Sequence, residues 1–401
     1  MAGPCSDKHE NFTPLAPGDW GPSAVAWTPL YSGNTRDFSA FGWKGLDPAQ
    51  TVLTAGVTKV DSLNVMDFSA GVGADVDDAD RIQCAIDAAR FSGICAVYLP
   101  RRTYLLHKPL TIVTAAKESV RLFSDFAVLK AAPGAGAGYP KDQAMLDLQT
   151  KGPRLIIENL VLHAGCEFGR CIRAKGVNTR MSSLVNVRVG FATSDGVYLE
   201  GCQVASIRGC SSDYNGGNGW TFDGCTAMSV IACRARRNAG HGFETFASEG
   251  YTGGNFLSHI VSEKNGGCGL WAWEGTNLNK YQHSSGLRLR DSVIDGNAWH
   301  GVRVEAWDAC VSGVTFRPGS NPDARWAWVG HPATGVVIRD CSVARSTLAP
   351  RFHAAHDEVG RARHVSFERN YGTEPEGALL GEDVASIDAS RVVALSATMG
   401  E

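Results

Sequence analysis

Carboxylates, histidines and large aromatic rings concentrate between Tyr198 and Asp308, and their spacing suggests two kinds of chemistry. Asp223 and Glu244 fall one coil of a repeat and two residues apart, which puts their carboxyls roughly 8 Å from each other by strand spacing and rise. Carboxyls about 6.5–9.5 Å apart suit hydrolysis of a glycosidic bond with inversion, one as acid and the other activating water. Glu200 and Asp223 are expected in register at about 4.8 Å, close enough for like-charge repulsion to raise one pKa. Glu305 with Arg303, and Glu274 and Asp308 at the loop mouths, are further candidates. The second chemistry takes the proton α to a carboxylate, as a lyase or epimerase does, with His241 as base and Arg303 steadying the anion. His300 shares the repeat position of His241, directly before a glycine, and a turn histidine satisfied by backbone hydrogen bonds is the competing reading of both. Tyr198, Trp271 and Trp273 add flat rings beside these charges, and rings with hydrogen-bonding charges are what a sugar chain needs. The catalytic candidates are therefore Asp223, Glu244, Glu305, Arg303 and His241. The substrate-binding candidates are Tyr198, Glu200, Trp271, Trp273, Glu274, His300 and Asp308.

What must position these side chains is a repeat. The segment EGCQVASIRGCSSDYNGGNGWTFDG from Glu200 matches DGCTAMSVIACRARRNAGHGFETFA from Asp223, with Cys202 on Cys225, Cys210 on Cys233, Asn215 on Asn238 and Gly219 on Gly242. The Asn-x-x-x-Gly-apolar signature returns as NGGCGL from Asn265 and NAWHGV from Asn297, which makes at least five coils with TSDGVYLEG before them. The leucine ladder of leucine-rich repeats is absent, and short Val/Ile/Phe runs between Asn and Gly leave no room for a helix in each repeat. A β-helix follows, its coils stacked to bury an inner face none could bury alone. Strand alternation turns Val197, Trp220, Phe243, Leu270 and Val302 inward, with Leu199, Phe222, Thr245, Ala272 and Val304. It turns Tyr198, Thr221, Glu244, Trp271 and Arg303 to solvent in one column, and Glu200, Asp223, Phe246, Trp273 and Glu305 in another. Glycine spacing widens down the chain, and inserts such as SEGYTGGN and GTNLNKYQHSSG would wall this strip. Packing of its rings under those loops or against another subunit is the alternative to ligand binding.

Ile82, Ala85, Ile86 and Ala89 recur at helical spacing behind Asp77, Asp78 and Asp80, predicting an amphipathic helix that caps the N-terminal end of the solenoid. The expected organisation is an N-terminal extension or adaptor over 1–60, a β-helix with its cap over 61–345, and a last coil with a C-terminal cap over 346–401. With 38 Lys and Arg against 41 Asp and Glu, no broad basic field exists to attract nucleic acid or anionic lipid. The N-terminal residues lack the basic and apolar regions of a secretory signal, and no long apolar run predicts membrane insertion. Twelve cysteines show no metal-ligand spacing, so neither metal nor cofactor is expected. Cys202 with Cys225 and Cys210 with Cys233 read as stacked buried thiols rather than disulfides, because side chains in register point in parallel. Cys5, Cys84, Cys95, Cys166, Cys171, Cys268, Cys310 and Cys341 have no assignable partner.

Asp67-Phe68-Ser69-Ala70, Asp77-Asp78, Ile82-Gln83, Ala85 to Ala89, Val97-Tyr98-Leu99-Pro100 and Thr103-Tyr104 together resemble the N-terminal capping region of the pectate-lyase-like β-helix superfamily. With the coils, the resemblance covers roughly residues 60 to 345. It departs at Gly73-Ala74-Asp75, where the family usually has a Gly-Asp-Gly turn. That superfamily includes bacteriophage tailspikes, polysaccharide lyases and hydrolases, and alginate epimerases. The resemblance implies an all-β, single-stranded right-handed parallel β-helix with an amphipathic capping helix. HGFETF resembles the alginate-epimerase catalytic segment but lacks its Asp-Pro-His core, so that activity is not carried over. The first expectation is a tailspike-like virion protein, located in a phage tail or otherwise extracellular. It would be a homotrimer that binds a bacterial surface polysaccharide, with depolymerisation as its possible reaction, and would meet other virion proteins through its N-terminal extension. A non-catalytic adhesive β-helix and a free lyase, hydrolase or epimerase stay open at this point.

Overall fold

The structure is a computed structural model whose described residues fall between 62 and 370 with gaps, the longest being 274–282 and 344–351. The extension over 1–60 and the chain from 371 onward lie outside the described residues, as does Glu274. Two large parallel sheets run the length of the described chain. One has ten strands, from Leu110–Thr114 to Phe352–Ala354, and each coil adds one rung to it. The other collects the two remaining strands of each coil, such as Ser206–Arg208 and Ser211–Asp213. Successive coils pair in the register that the repeat predicts: Val197 faces Trp220, Trp220 faces Phe243 and Leu270 faces Val302.

The repeat signature has a direct structural reason. Asn215, Asn238, Asn265 and Asn297 are buried in one column at the turn before the ten-stranded sheet. Each donates its Nδ2 to the Oδ1 of the next, at 2.8, 2.9 and 2.9 Å, and that oxygen also accepts the preceding coil's asparagine N–H. A side-chain amide carries both the donor and the acceptor that such a ladder needs. The glycine four residues on is required by close approach. A Cβ on Gly242 would stand 2.6 Å from the Gly269 carbonyl oxygen and 2.9 Å from the Asn265 amide nitrogen.

The expected helix forms over Asp78–Ser92, with Asp77 capping it through a 3.0 Å bond from the Ala79 N–H to its Oδ1. Ile82, Ala85, Ile86 and Ala89 are wholly buried against the first coils. Gln83 reaches the edge strand of the ten-stranded sheet, donating to the Thr111 carbonyl at 2.8 Å and accepting its N–H at 2.9 Å. One side-chain amide thus stands in for the missing rung at that edge, which otherwise would present unpaired backbone groups. Cys202, Cys225, Cys210 and Cys233 are free and buried, as the thiol-ladder reading expects, while Cys166 is disulfide-bonded.

Candidate functional site

The outer face of the ten-stranded sheet carries the expected columns. Tyr198, Thr221, Glu244, Trp271, Arg303 and Trp328 follow one another in register. Glu200 pairs with Asp223, Asp223 with Phe246, and Trp273 with Glu305. Exposure departs from expectation: Thr221, Asp223 and Glu244 are 1%, 3% and 8% exposed, so the strip is not uniformly open to solvent. The long side chains next to them fold over and cover them. Trp273 stacks on Phe246 at 4.9 Å and on Trp271 at 5.0 Å between ring centroids, and its Nε1 donates to Glu244 Oε1 at 2.9 Å. Tyr198 donates its hydroxyl to Asp223 at 2.7 Å, and Ser248 adds its N–H at 2.8 Å and its hydroxyl at 2.6 Å.

Around Glu244 the structure gathers a second acid that the sequence reading missed. Asn218 donates its Nδ2 to Glu244 Oε2 at 2.6 Å, and its own N–H goes to Asp195 Oδ1 at 2.8 Å. Thr221 donates its hydroxyl to Asp195 Oδ2 at 3.2 Å. Burial pushes the Glu244 carboxyl up to about 7, with Asp195 and Asp223 adding to the rise against the two hydrogen bonds. Burial raises Asp195 as well. The signal for Asp195 was present: it sits directly before Gly196, one coil ahead of Asn218 in the column that holds His241 and His300.

That column is a ladder of acceptors for the backbone. Asp195 accepts the Asn218 N–H, Asn218 accepts the His241 N–H at 2.7 Å, and His241 Nδ1 accepts the Cys268 N–H at 2.8 Å. The Cys268 sulfur accepts from the His300 backbone, and His300 Nδ1 accepts the Arg325 N–H at 3.0 Å. The turn-histidine reading fits both rings. The His241 ring is held in place by its bond to the Cys268 N–H. Its Nδ1 lone pair is taken, the proton is on Nε2, and burial beside Arg303 lowers it to about 4.

The remaining candidates are placed as follows. The Arg303 guanidinium lies between the rings of Trp271 and Trp328, 4.8 and 4.5 Å from their centroids, and bonds Glu305 at 2.7 Å. Glu305 also accepts from Trp271 Nε1 at 2.8 Å. Glu200, in register with Asp223, is ion-paired with Lys175 at 2.6 Å. His300 stacks on Trp328 at 5.8 Å, beside the exposed Trp299. Asp308 is exposed at the corner beyond the strip, with a φ of 50° in line with Gly286 and Gly335.

A family model described as a right handed beta helix region matches residues 170–321. No curated protein matches the sequence. Among solved structures, the A-module of the Azotobacter vinelandii mannuronan C-5 epimerase AlgE6 aligns at a TM-score of 0.64 and 17% identity, over 81% of this chain and 97% of that one. The AlgE4 A-module of the same organism gives 0.59 and 17%, over 81% and 99%. ORF18 of Geobacillus virus E2 gives 0.56 and 15% over 78% of this chain, which spans 60% of the viral protein. Such identities speak to fold alone, and with the stacked parallel coils and the family model matched over 170–321 they agree on it: the chain folds as a right-handed parallel β-helix.

Proposed function

We propose that the chain binds a polysaccharide along the outer face of its ten-stranded sheet and hydrolyses it there, with Glu244 as the proton donor. The observation that carries this is the Glu244 carboxyl, buried, held by Asn218 and Trp273, and pushed up to about 7 beside stacked rings. A carboxyl kept protonated near neutrality next to a second carboxylate is the pattern of an acid and a base with separated roles. Glu244 passes its proton to the glycosidic oxygen as the C1–O bond breaks. Water adds its oxygen to C1 and gives a proton to Asp223. Asp195 positions Glu244 through Asn218 and Thr221.

In the same proposal the polymer is a bacterial surface polysaccharide, and the chain works as a trimer in a virion tail or otherwise outside the cell, joined to other virion proteins through residues 1–60. The fold shared with a viral gene product supports this setting. A free epimerase is the second reading, favoured by coverage of almost the whole length of two mannuronan C-5 epimerase A-modules. Incubation with capsule or lipopolysaccharide, followed by sizing of the products, separates the readings. New reducing ends support hydrolysis, ultraviolet absorbance from an unsaturated uronate supports a lyase, and exchange at C-5 supports an epimerase. Binding without any product removes the catalytic part.

A further inference from the structure

We infer that the glycan bound over Glu244 is uncharged, and that polyuronates are excluded from this face. The inference rests on the reading that the face holds a polysaccharide, and it names the class of polymer. Within two coils of Glu244 in either direction, the described outward and turn residues of the face carry Asp195, Glu200, Asp223 and Glu305 besides Glu244 itself. Against them stands Arg303, which is enclosed by two tryptophan rings and bonded to Glu305. Lys175, one coil further out, is bonded to Glu200. Setting these two pairs aside leaves Asp195 and Asp223, neither with an ion pair among the described residues. Arg170 acts on Asp195 only through its field, since its guanidinium lies 4.1 Å above the Tyr198 ring and its ion pair, at 3.5 Å, is with Asp142; Arg173, in register with Tyr198 one coil further out, also faces Asp142, at 3.9 Å. His241 contributes no charge at neutral pH, its Nδ1 being bonded to the Cys268 N–H.

A polyuronate brings a carboxylate on every sugar, so it would set like charge against Asp195 and Asp223 with no unpaired cation among the described residues of these coils to answer it. Taking the proton α to a carboxylate would aggravate this, because the developing dianion needs a positive group aimed at it. Protonation of a glycosidic oxygen by Glu244 needs none. The charge pattern therefore separates this face from the mannuronan chemistry named for two of its structural relatives.

Polymannuronate and polygalacturonate can each be compared with their carboxyl-reduced products, which keep the backbone and lose the charge. The probe is retardation of the full chain in native gels containing each polymer, at about 0.01 and about 0.1 M ionic strength. We expect at least one reduced polymer to bind about tenfold more tightly than its parent, and binding of the parent to strengthen as salt screens the repulsion. Asp195→Asn should shift the ratio of parent to reduced binding about fivefold toward the parent, with unchanged melting as the check on folding. Tighter binding of a parent polymer that salt weakens overturns the inference and leaves the polysaccharide reading standing. Retardation by none of the four polymers overturns that reading and the inference together.

Discussion

Glu244 and His241 titrate in opposite senses, and this makes the site readable by pH. The folded pKa of Glu244 is raised from 4.5 to about 7, so the folded state binds more protons than the unfolded state between those values, and stability falls as pH rises through that window. Its full effect is on the order of 3 kcal/mol. His241 is lowered from 6.5 to about 4, so its effect runs the other way and stability rises with pH over that window. The two oppose each other in the intact protein. Glu244→Gln should unmask the histidine, giving a melting temperature that climbs with pH between about 4 and 6.5; a flat profile in the variant would sink the assignment. In turnover, the wild type should lose activity above about pH 7 as the acid form empties, and Glu244→Gln should retain binding while losing about 100-fold or more in rate. The residues in these statements were partly legible in the sequence. Glu244 and Asp223 could be named because strand alternation fixes direction, but their burial could not, because it depends on where Trp273 and Tyr198 come to rest. Asp195 was missed because it precedes the strand and enters the site from the turn, so the strand-column reading never reached it.

At the scale of elements, two ladders set what substitutions cost. Asn238 gives one oxygen to two donors of Asn215 and one amide to both Ser212 and Asn265. Asn238→Ala leaves buried groups unpaired on both neighbouring coils, and a loss of about 3 kcal/mol in denaturant unfolding is expected. Gly242→Ala should cost at least as much, since its methyl would meet backbone that cannot withdraw. The turn column is more forgiving. His241→Asn should stay within about 1 kcal/mol of the wild type because asparagine already does the same work at Asn218, whereas His241→Ala strands the Cys268 N–H and should cost about 1–3 kcal/mol. Chemical denaturation of the pair checks this. The Asn and Gly signature was the firmest inference from sequence, since a ladder of identical rungs leaves its period in the residues. The amphipathic helix was equally legible from its apolar spacing. Its Gln83 contact with Thr111 was not, because that bond depends on a strand 28 residues away.

For the whole molecule, the described coils from Leu110 to Ala354 form a continuous ten-stranded face, closed at its first edge by the helix and Gln83. A trimer is expected by sedimentation of the full chain, and a single monomeric species would remove that part of the proposal. Oligosaccharide protection from hydrogen exchange should concentrate over Tyr198 to Trp328, with the opposite sheet unaffected. The acceptor column at the edge of this face has a wider implication. Its five successive rungs are filled by a carboxylate, an amide, an imidazole, a thiol and a second imidazole, and the backbone asks of each only a lone pair. Charge along the cleft can therefore drift during evolution without disturbing the scaffold, and such a column is a place where one β-helix can change the sugars it accepts while its architecture stands still.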